Sequence, residues 1–134
     1  MRNAFAITVG LVVGGLVVFL LYILGPQFFT FPKDANPMDP DSIKQNMHLI
    51  PSGAMVLIII AHFFGIVGGM LASTAVSEES LVPAYVVSGI IILGSIGSSF
   101  AMSHPTWSII VGIITVIAAF FVGRMVAIKR LNEE

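Results

Sequence analysis

The sequence predicts an all-α integral membrane protein: a bundle of four transmembrane helices with a short interfacial helix in its first extracytoplasmic loop. The first observation is composition, because 57% of the 134 residues are hydrophobic and only 10% are charged. Soluble domains average about 45–50% apolar and about 25% charged residues. The second is that the charged residues lie outside long apolar stretches. Each stretch is long enough for one or two helices of about 20 residues, and a helix of that length crosses about 30 Å of hydrocarbon.

The boundaries of the spans follow from the positions of charges and prolines. The uncharged stretch 80–123 is too long for one helix, and His104–Pro105 divides it. Proline removes a backbone donor and disfavours a helical residue before it, so in lipid it is tolerated best at a helix start. Within one domain of residues 1–134, the predicted spans are Ala4 to Leu24, Pro51 to Val76, Val82 to Met102 and Pro105 to Ile128.

The basic residues predict which end of the bundle faces the cytoplasm. With four spans, both termini lie on the same side as the turn at Glu78 and Glu79. Because basic residues are enriched on the cytoplasmic side, the side with more of them is the inner one. We therefore expect a multi-pass protein of the cell inner membrane, with both termini cytoplasmic and the loop 25–50 outside. The side that holds both termini carries four basic residues: Arg2, Arg124, Lys129 and Arg130. The opposite side carries two, Lys33 and Lys44.

The outer loop carries a helix signal of its own. Asp39 before Pro40 is typical of an N-cap followed by a first-turn proline. Ile43, Met47 and Ile50 then recur at helical spacing, which predicts a short helix at the membrane surface. Two interpretations are open, because such a segment either connects two spans or acts as a lid.

Small residues recur at intervals of three and four residues in every span, and Gly10 with Gly14 and Gly65 with Gly69 are examples. Such small-xxx-small patterns allow the backbones of membrane helices to approach closely. We expect them to hold a compact bundle within one chain.

One ionisable residue lies deep within a predicted span. His62 lies about 16 Å into the second span at about 1.5 Å per residue, which is near the bilayer midplane. At about 100° per residue, Gly69 and Gly65 share its general direction. Thr115 is expected at the same depth and Ser95 within about two helical turns of it. The candidate intramembrane polar site is therefore His62, Gly65, Gly69, Ser95 and Thr115.

His62 has two interpretations. In one, it forms hydrogen bonds with Thr115 and Ser95 that join helices and contribute about 1 kcal/mol. In the other, it is part of a ligand, proton or cofactor site, because ionisable residues inside a membrane usually mark function. None of the seven carboxylates lies in a predicted span, which argues against transport coupled to a buried carboxylate.

The outer face carries three further candidates: His48, His104 and Asp39. Two histidines and a carboxylate can bind a transition metal, but their spacing matches no ligand motif, and we predict no metal site. We also predict no cofactor and no enzyme activity, because a lone membrane histidine lacks the base, nucleophile and oxyanion donors that catalysis needs.

Four short motifs resemble a group of small bacterial four-helix inner-membrane proteins. The resemblance would cover most of the chain and implies the same four-helix fold, but it implies no activity. The motifs are Pro37-Met38-Asp39-Pro40, Ile50-Pro51-Ser52-Gly53-Ala54, Ala61-His62 with Gly65 and Gly69, and His104-Pro105-Thr106-Trp107.

The sequence predicts a non-enzymatic membrane component that serves as an accessory, binds a partner or organises lipid. The alternative is a small oligomeric transporter or channel with His62 at its midplane. The expected partners are the lipid bilayer and either a larger membrane protein or further copies of the chain. A nucleic-acid partner is excluded, because the net charge is −1 and no basic run is present.

Overall fold

A computed structural model describes residues 1–30, 32–36 and 38–133. The described residues form α-helices and one short 3-10 turn, and four of the helices are long and apolar enough to cross a membrane. The predicted all-α fold with four spanning helices is thereby confirmed, and this is the architecture of a multi-pass membrane protein. The elements are α1 (Arg2–Phe28), α2 (Pro40–Gln45), the 3-10 turn Met47–Leu49, α3 (Ser52–Ser77), α4 (Val82–Ala101) and α5 (Thr106–Glu133).

Two of the spanning helices are longer than the sequence pattern predicts. Helix α1 continues beyond Leu24 through Pro26, so this proline does not end the helix although it removes one N–H donor. The amide of Phe29 then closes the last turn on the carbonyl of Gly25 at 2.9 Å. Helix α5 continues past Ile128 to Glu133, and its polar last turns carry an exposed ion pair of 3.9 Å between Lys129 and Glu133.

Helices α1 and α3 touch backbone to backbone. A Cβ atom added at Gly10 would lie 2.8 Å from the carbonyl oxygen of Gly69, and one added at Gly14 would lie 2.8 Å from that of Gly65. Real Cβ atoms do not approach so closely, so these positions accept only glycine without movement. Small residues allow this type of contact between membrane helices.

Helix α3 is the central helix of the bundle and packs against α1, α4 and α5. Below His62 in the direction of the α3–α4 turn, Ile66 and Met70 are fully buried against Ala84, Val116 and Ala119. The outer faces are apolar and exposed instead, as a surface in contact with lipid tails should be. Large exposed residues include Phe5, Leu93, Ile114, Phe121 and Met125.

The N-terminus and the α3–α4 turn lie at the same end of the bundle. The guanidinium of Arg2 lies 3.5 Å from the carboxylate of Glu78 and 3.8 Å from that of Glu79. All three side chains are largely exposed, so these ion pairs mark proximity more than they stabilise the fold.

At the opposite end, α2 packs onto the bundle. The carboxylate of Asp39 accepts a hydrogen bond of 3.1 Å from the amide of Asp41 and caps the helix. Ile43 and Met47 are buried, at 4% and 6% exposure, and pack against Met55 of α3. The segment therefore covers the end of the bundle with the face that the sequence spacing predicts.

Candidate functional site around His62

His62 projects from α3 in the half of the bundle that α2 covers, and its side chain is partly buried. Its Nδ1–H donates a hydrogen bond of 2.9 Å to the carbonyl oxygen of Ile58, one turn earlier. A carbonyl only accepts, so Nδ1 carries the proton, and in the neutral ring Nε2 is an acceptor. A charged imidazole is costly inside a membrane, which favours this neutral ring.

The Nε2 atom of His62 has no hydrogen-bond partner among the residues that the structure describes. Within the same residues, no fully buried side-chain nitrogen or oxygen lacks a partner. It follows that Nε2 is not sealed in the protein interior but opens onto a cavity. Three cavities border His62, and they differ in polarity and in shape.

The first, which we call the polar cavity, lies between α3, α4 and α5. Its volume is about 20 Å³, and about 10–15 Å³ is enough for one water molecule. The hydroxyls of Ser99 and Ser108 donate to carbonyls of Ser95 and Pro105 at 3.0 Å each, so their lone pairs remain available as acceptors. The polar side chains of this cavity are His62, His104, Ser95, Ser99 and Ser108.

The second, the apolar chamber, lies between the outer half of the bundle and the α2 segment, and its volume is about 200 Å³. Its lining is almost entirely apolar, with His62 and His104 as its two imidazoles. Ile43 of α2 and Met47 of the following 3-10 turn form its roof, so these two elements separate the chamber from the space above the bundle. Among its other lining residues are Val18, Tyr22, Met55, Ile58 and Met102.

The third, the lateral groove, is an open depression of about 360 Å³ between α1 and α4. It faces the side of the bundle and reaches inward to His62. Val18 and Tyr22 line both the groove and the chamber, so the two are adjacent along these side chains. Gly15, Phe19 and Gly94 complete the part of the groove nearest the lipid side.

His104 reaches the site from the turn between α4 and α5. Ser103 adopts a left-handed conformation with φ of 55°, and the amide of His104 donates to the carbonyl of Ser99 at 3.0 Å. This tight turn directs the imidazole toward His62. Burial, followed by the proximity of His62, lowers the pKa of His104 below its ordinary value of 6.5. His104 is therefore held mainly in its neutral form.

The structure brings together only part of the predicted intramembrane site. His62 and Ser95 share the walls of the polar cavity and the lateral groove. Gly65 and Gly69 face α1 instead and line none of the three cavities. The expected hydrogen bond between His62 and Thr115 is not formed, because the Thr115 hydroxyl donates to the carbonyl of Val111 on its own helix at 2.7 Å. A threonine inside a helix often satisfies its hydroxyl in this way.

The three outer-face candidates are also separated. His104 lines the polar cavity and the apolar chamber, whereas His48 and Asp39 are exposed on the α2 segment. Asp39 uses its carboxylate as a helix cap. Within the part of the chain that the structure describes, no group of three or more histidine, cysteine or acidic residues could hold a metal ion.

Sequence reasoning missed several residues that line the site. Ser99 and Ser108 flank the His104 turn at distances of five and four residues, and this local cluster of polar residues was the available signal. Met55 lies seven residues before His62, within about 20° of it around the helix, so the helix angle was an available signal. Met102 carried no signal. Tyr22 lies near the predicted outer end of its span, as an interfacial aromatic residue would, yet it lines the chamber.

Comparisons with known proteins find no matching family model, no matching curated protein and no matching solved structure. The arrangement of cavities around His62 is therefore the observation from which a function has to be argued.

Proposed function

We propose that this protein is a non-enzymatic component of the cell inner membrane that binds one lipid-like molecule in the apolar chamber. The observation that carries the proposal is that the chamber and the lateral groove lie side by side and share Val18 and Tyr22 in their walls. A molecule dissolved in the bilayer can enter sideways between α1 and α4. Small-molecule sites are typically concave, mostly apolar and equipped with a few polar groups, and His62 and His104 supply these here.

Packing in the other half of the bundle favours binding over conduction. Ile66 and Met70 follow His62 by one and two turns of α3, and both are fully buried in the core. The cavities at His62 thus lie in the half near α2, whereas the core beyond His62 in the direction of Glu78 is filled by Ile66 and Met70. This asymmetry is suited to holding a molecule in one leaflet.

The orientation and partners belong to the same proposal. Both termini lie in the cytoplasm, because their end carries the excess of basic residues, and the chamber therefore opens in the outer leaflet. The small-residue patterns of α1 and α3 pack within the chain, while Gly94 and Gly97 of α4 have nothing within 4 Å. The outer faces remain for lipid, a larger membrane protein or a second copy of the chain.

A small oligomeric transporter is the second candidate. The observation in its favour is that Nε2 of His62, which has no hydrogen-bond partner among the described residues, opens onto cavities at the depth where a transported molecule would pass. A transporter needs a second conformation in which the packed half opens. The chain has no native cysteine, so Ile66→Cys introduces a single thiol into the packed half. Reaction of this thiol with a water-soluble reagent would favour the transporter over static binding.

The proposal is tested by native mass spectrometry of the protein released from gentle detergent. We expect one retained molecule of lipid-like mass per chain in the wild type. Ile58→Phe fills the chamber wall and should abolish this retention, whereas Ile60→Phe, at a 40% exposed position of the same helix, should not. Equal retention in both variants would assign the bound mass to the outer surface and contradict the proposal, as would the lack of any retained molecule.

A further inference from the structure

The size, the lining and the hydrogen-bonding state of the apolar chamber together indicate a class of ligand. We propose that the chamber binds the head of a lipid-soluble phenol or quinol, that is, an aromatic ring with a hydroxyl group and an apolar chain. This inference rests on the proposed function, because it names the class of lipid-like molecule that the chamber takes.

The size of the chamber matches a single ring. Its volume is about 200 Å³, and an apolar protein cavity of about 150 Å³ binds benzene. One aromatic ring with small substituents therefore fits, but a phospholipid head with its charged phosphate does not suit such apolar walls. The roof of Ile43 and Met47 would hold the ring beneath α2.

The lining favours an aromatic ring over a plain hydrocarbon chain. Three thioether side chains, Met47, Met55 and Met102, border the chamber. Methionine sulfur makes favourable contacts with the edges of aromatic rings, and its unbranched side chain adapts to the shape of a ligand. Clustered methionines at one cavity are therefore suited to a flat ring.

The two imidazoles determine which polar group the aromatic ring of the ligand must carry. Because Nδ1 of His62 donates to Ile58, Nε2 can only accept in the neutral ring. His62 lines the chamber, so a phenolic O–H there can donate one hydrogen bond to Nε2 and leave both partners uncharged. An ether or an acyl chain has no donor to offer Nε2. His104 borders the same chamber, so a second hydroxyl on the ring has a second imidazole available.

The apolar chain of such a ligand has an exit. Val18 and Tyr22 separate the chamber from the lateral groove and line both. A chain attached to a ring in the chamber can pass these side chains and lie in the groove between α1 and α4. There it remains in contact with the bilayer and needs no further protein surface.

The test compares 4-heptylphenol with its methyl ether, 4-heptylanisole, which lacks the donor and is larger by one methyl group; the same comparison in His62→Leu controls for that methyl group. Calorimetric titration of the full chain in nanodiscs, with empty nanodiscs subtracted, measures saturable binding. We expect one site per chain, with the phenol bound at least about fivefold more tightly, because one net hydrogen bond is gained. In His62→Leu, the two ligands should bind within about twofold of each other.

The outcomes separate this inference from the proposed function. Equal affinities of phenol and ether for the wild type, both lost in Ile58→Phe, would overturn the assignment of the head group and leave lipid-like binding standing. If neither ligand binds while native mass spectrometry still finds a lipid that Ile58→Phe removes, the assignment alone fails. If both measurements find no bound molecule, the inference and the proposed function fail together.

Two further arms refine the result. The comparison of phenol with ether in the wild type needs no variant, so it holds even if His62→Leu fails to fold. A titration with 2-heptylhydroquinone, whose chain has the same length as that of the phenol, identifies the source of the hydroxyl: tighter binding than the phenol, reduced toward the phenol's affinity by His104→Leu, indicates a quinol. Binding no tighter than that of 4-heptylphenol indicates a lipid with a single phenolic hydroxyl.

Discussion

Gly14 and Gly65 bring the backbones of α1 and α3 into direct contact. A Cβ atom at Gly14 would lie 2.8 Å from the carbonyl oxygen of Gly65, and one at Gly65 would lie 3.0 Å from that of Gly14. The contact is reciprocal and involves backbone atoms, which cannot rotate away as a side chain can. It fixes the distance between the two helices that flank the chamber and the groove.

Gly14→Ala should therefore destabilise the bundle by about 1–3 kcal/mol, because the added methyl forces α1 and α3 apart. Gly15→Ala is the matched control, since a Cβ atom there meets nothing within 4 Å. The control should be neutral or stabilising by up to about 1 kcal/mol through helix propensity. Thermal unfolding in detergent measures both. Equal midpoints for the two variants would contradict the backbone contact.

The sequence predicted the helices far better than it predicted the site. The spans follow from apolar length and from Pro51 and Pro105, which are local properties of the chain. The buried side of α2 and of the 3-10 turn that follows it also followed from the spacing of Ile43 and Met47, because one side of a helix repeats every three to four residues. These features require no knowledge of which helices are neighbours.

The site depended on the rotation and neighbours of each helix, which periodicity does not determine in a chain that is apolar on nearly every face. Thr115 is expected at the depth of His62 and Ser95 within about two helical turns of it, yet only Ser95 shares a cavity with His62. Gly65 and Gly69 lie close to His62 in angle around α3, but both pack against the backbone of α1. Depth and angle were thus necessary criteria, but they were not sufficient.

The proposed orientation can be tested with single cysteines, since the chain has none of its own. We expect Lys44→Cys to react with an impermeant maleimide in intact spheroplasts, because α2 lies on the outer side. Asn3→Cys and Asn132→Cys should react only after lysis. Labelling in the opposite pattern would invert the orientation, and labelling of Asn3→Cys and Asn132→Cys on different sides would contradict an even number of spans.

The cover formed by α2 depends on the buried side chain of Ile43, which is 4% exposed. Replacement of a buried isoleucine by alanine typically costs about 2–5 kcal/mol. Because α2 has few other contacts, Ile43→Ala should open this segment locally, with amide exchange over residues 40–49 faster by at least about tenfold.

Leu49→Ala is the control for this measurement, because Leu49 lies in the same segment but is 55% exposed. Its amide exchange should match that of the wild type, and α3 should remain protected in both variants. If Ile43→Ala leaves exchange over residues 40–49 unchanged, the segment is held by something other than its contact with Met55. The chamber would then keep its roof without this side chain.

The lowered pKa of His104 makes the stability of the fold dependent on pH. Above the ordinary histidine value of 6.5, the ring is neutral in both folded and unfolded chains and contributes no pH dependence. As the pH falls through 6.5, the unfolded chain binds a proton while the folded chain does not until a lower pH, so stability is lost. Melting temperatures measured from about pH 8 to about pH 5 should therefore fall at the acid end, and His104→Gln should flatten part of this decline. His48→Gln, at an exposed position, is the control and should leave the wild-type decline in place. If His104→Gln declines as steeply as the wild type, His104 is not the source of the pH dependence.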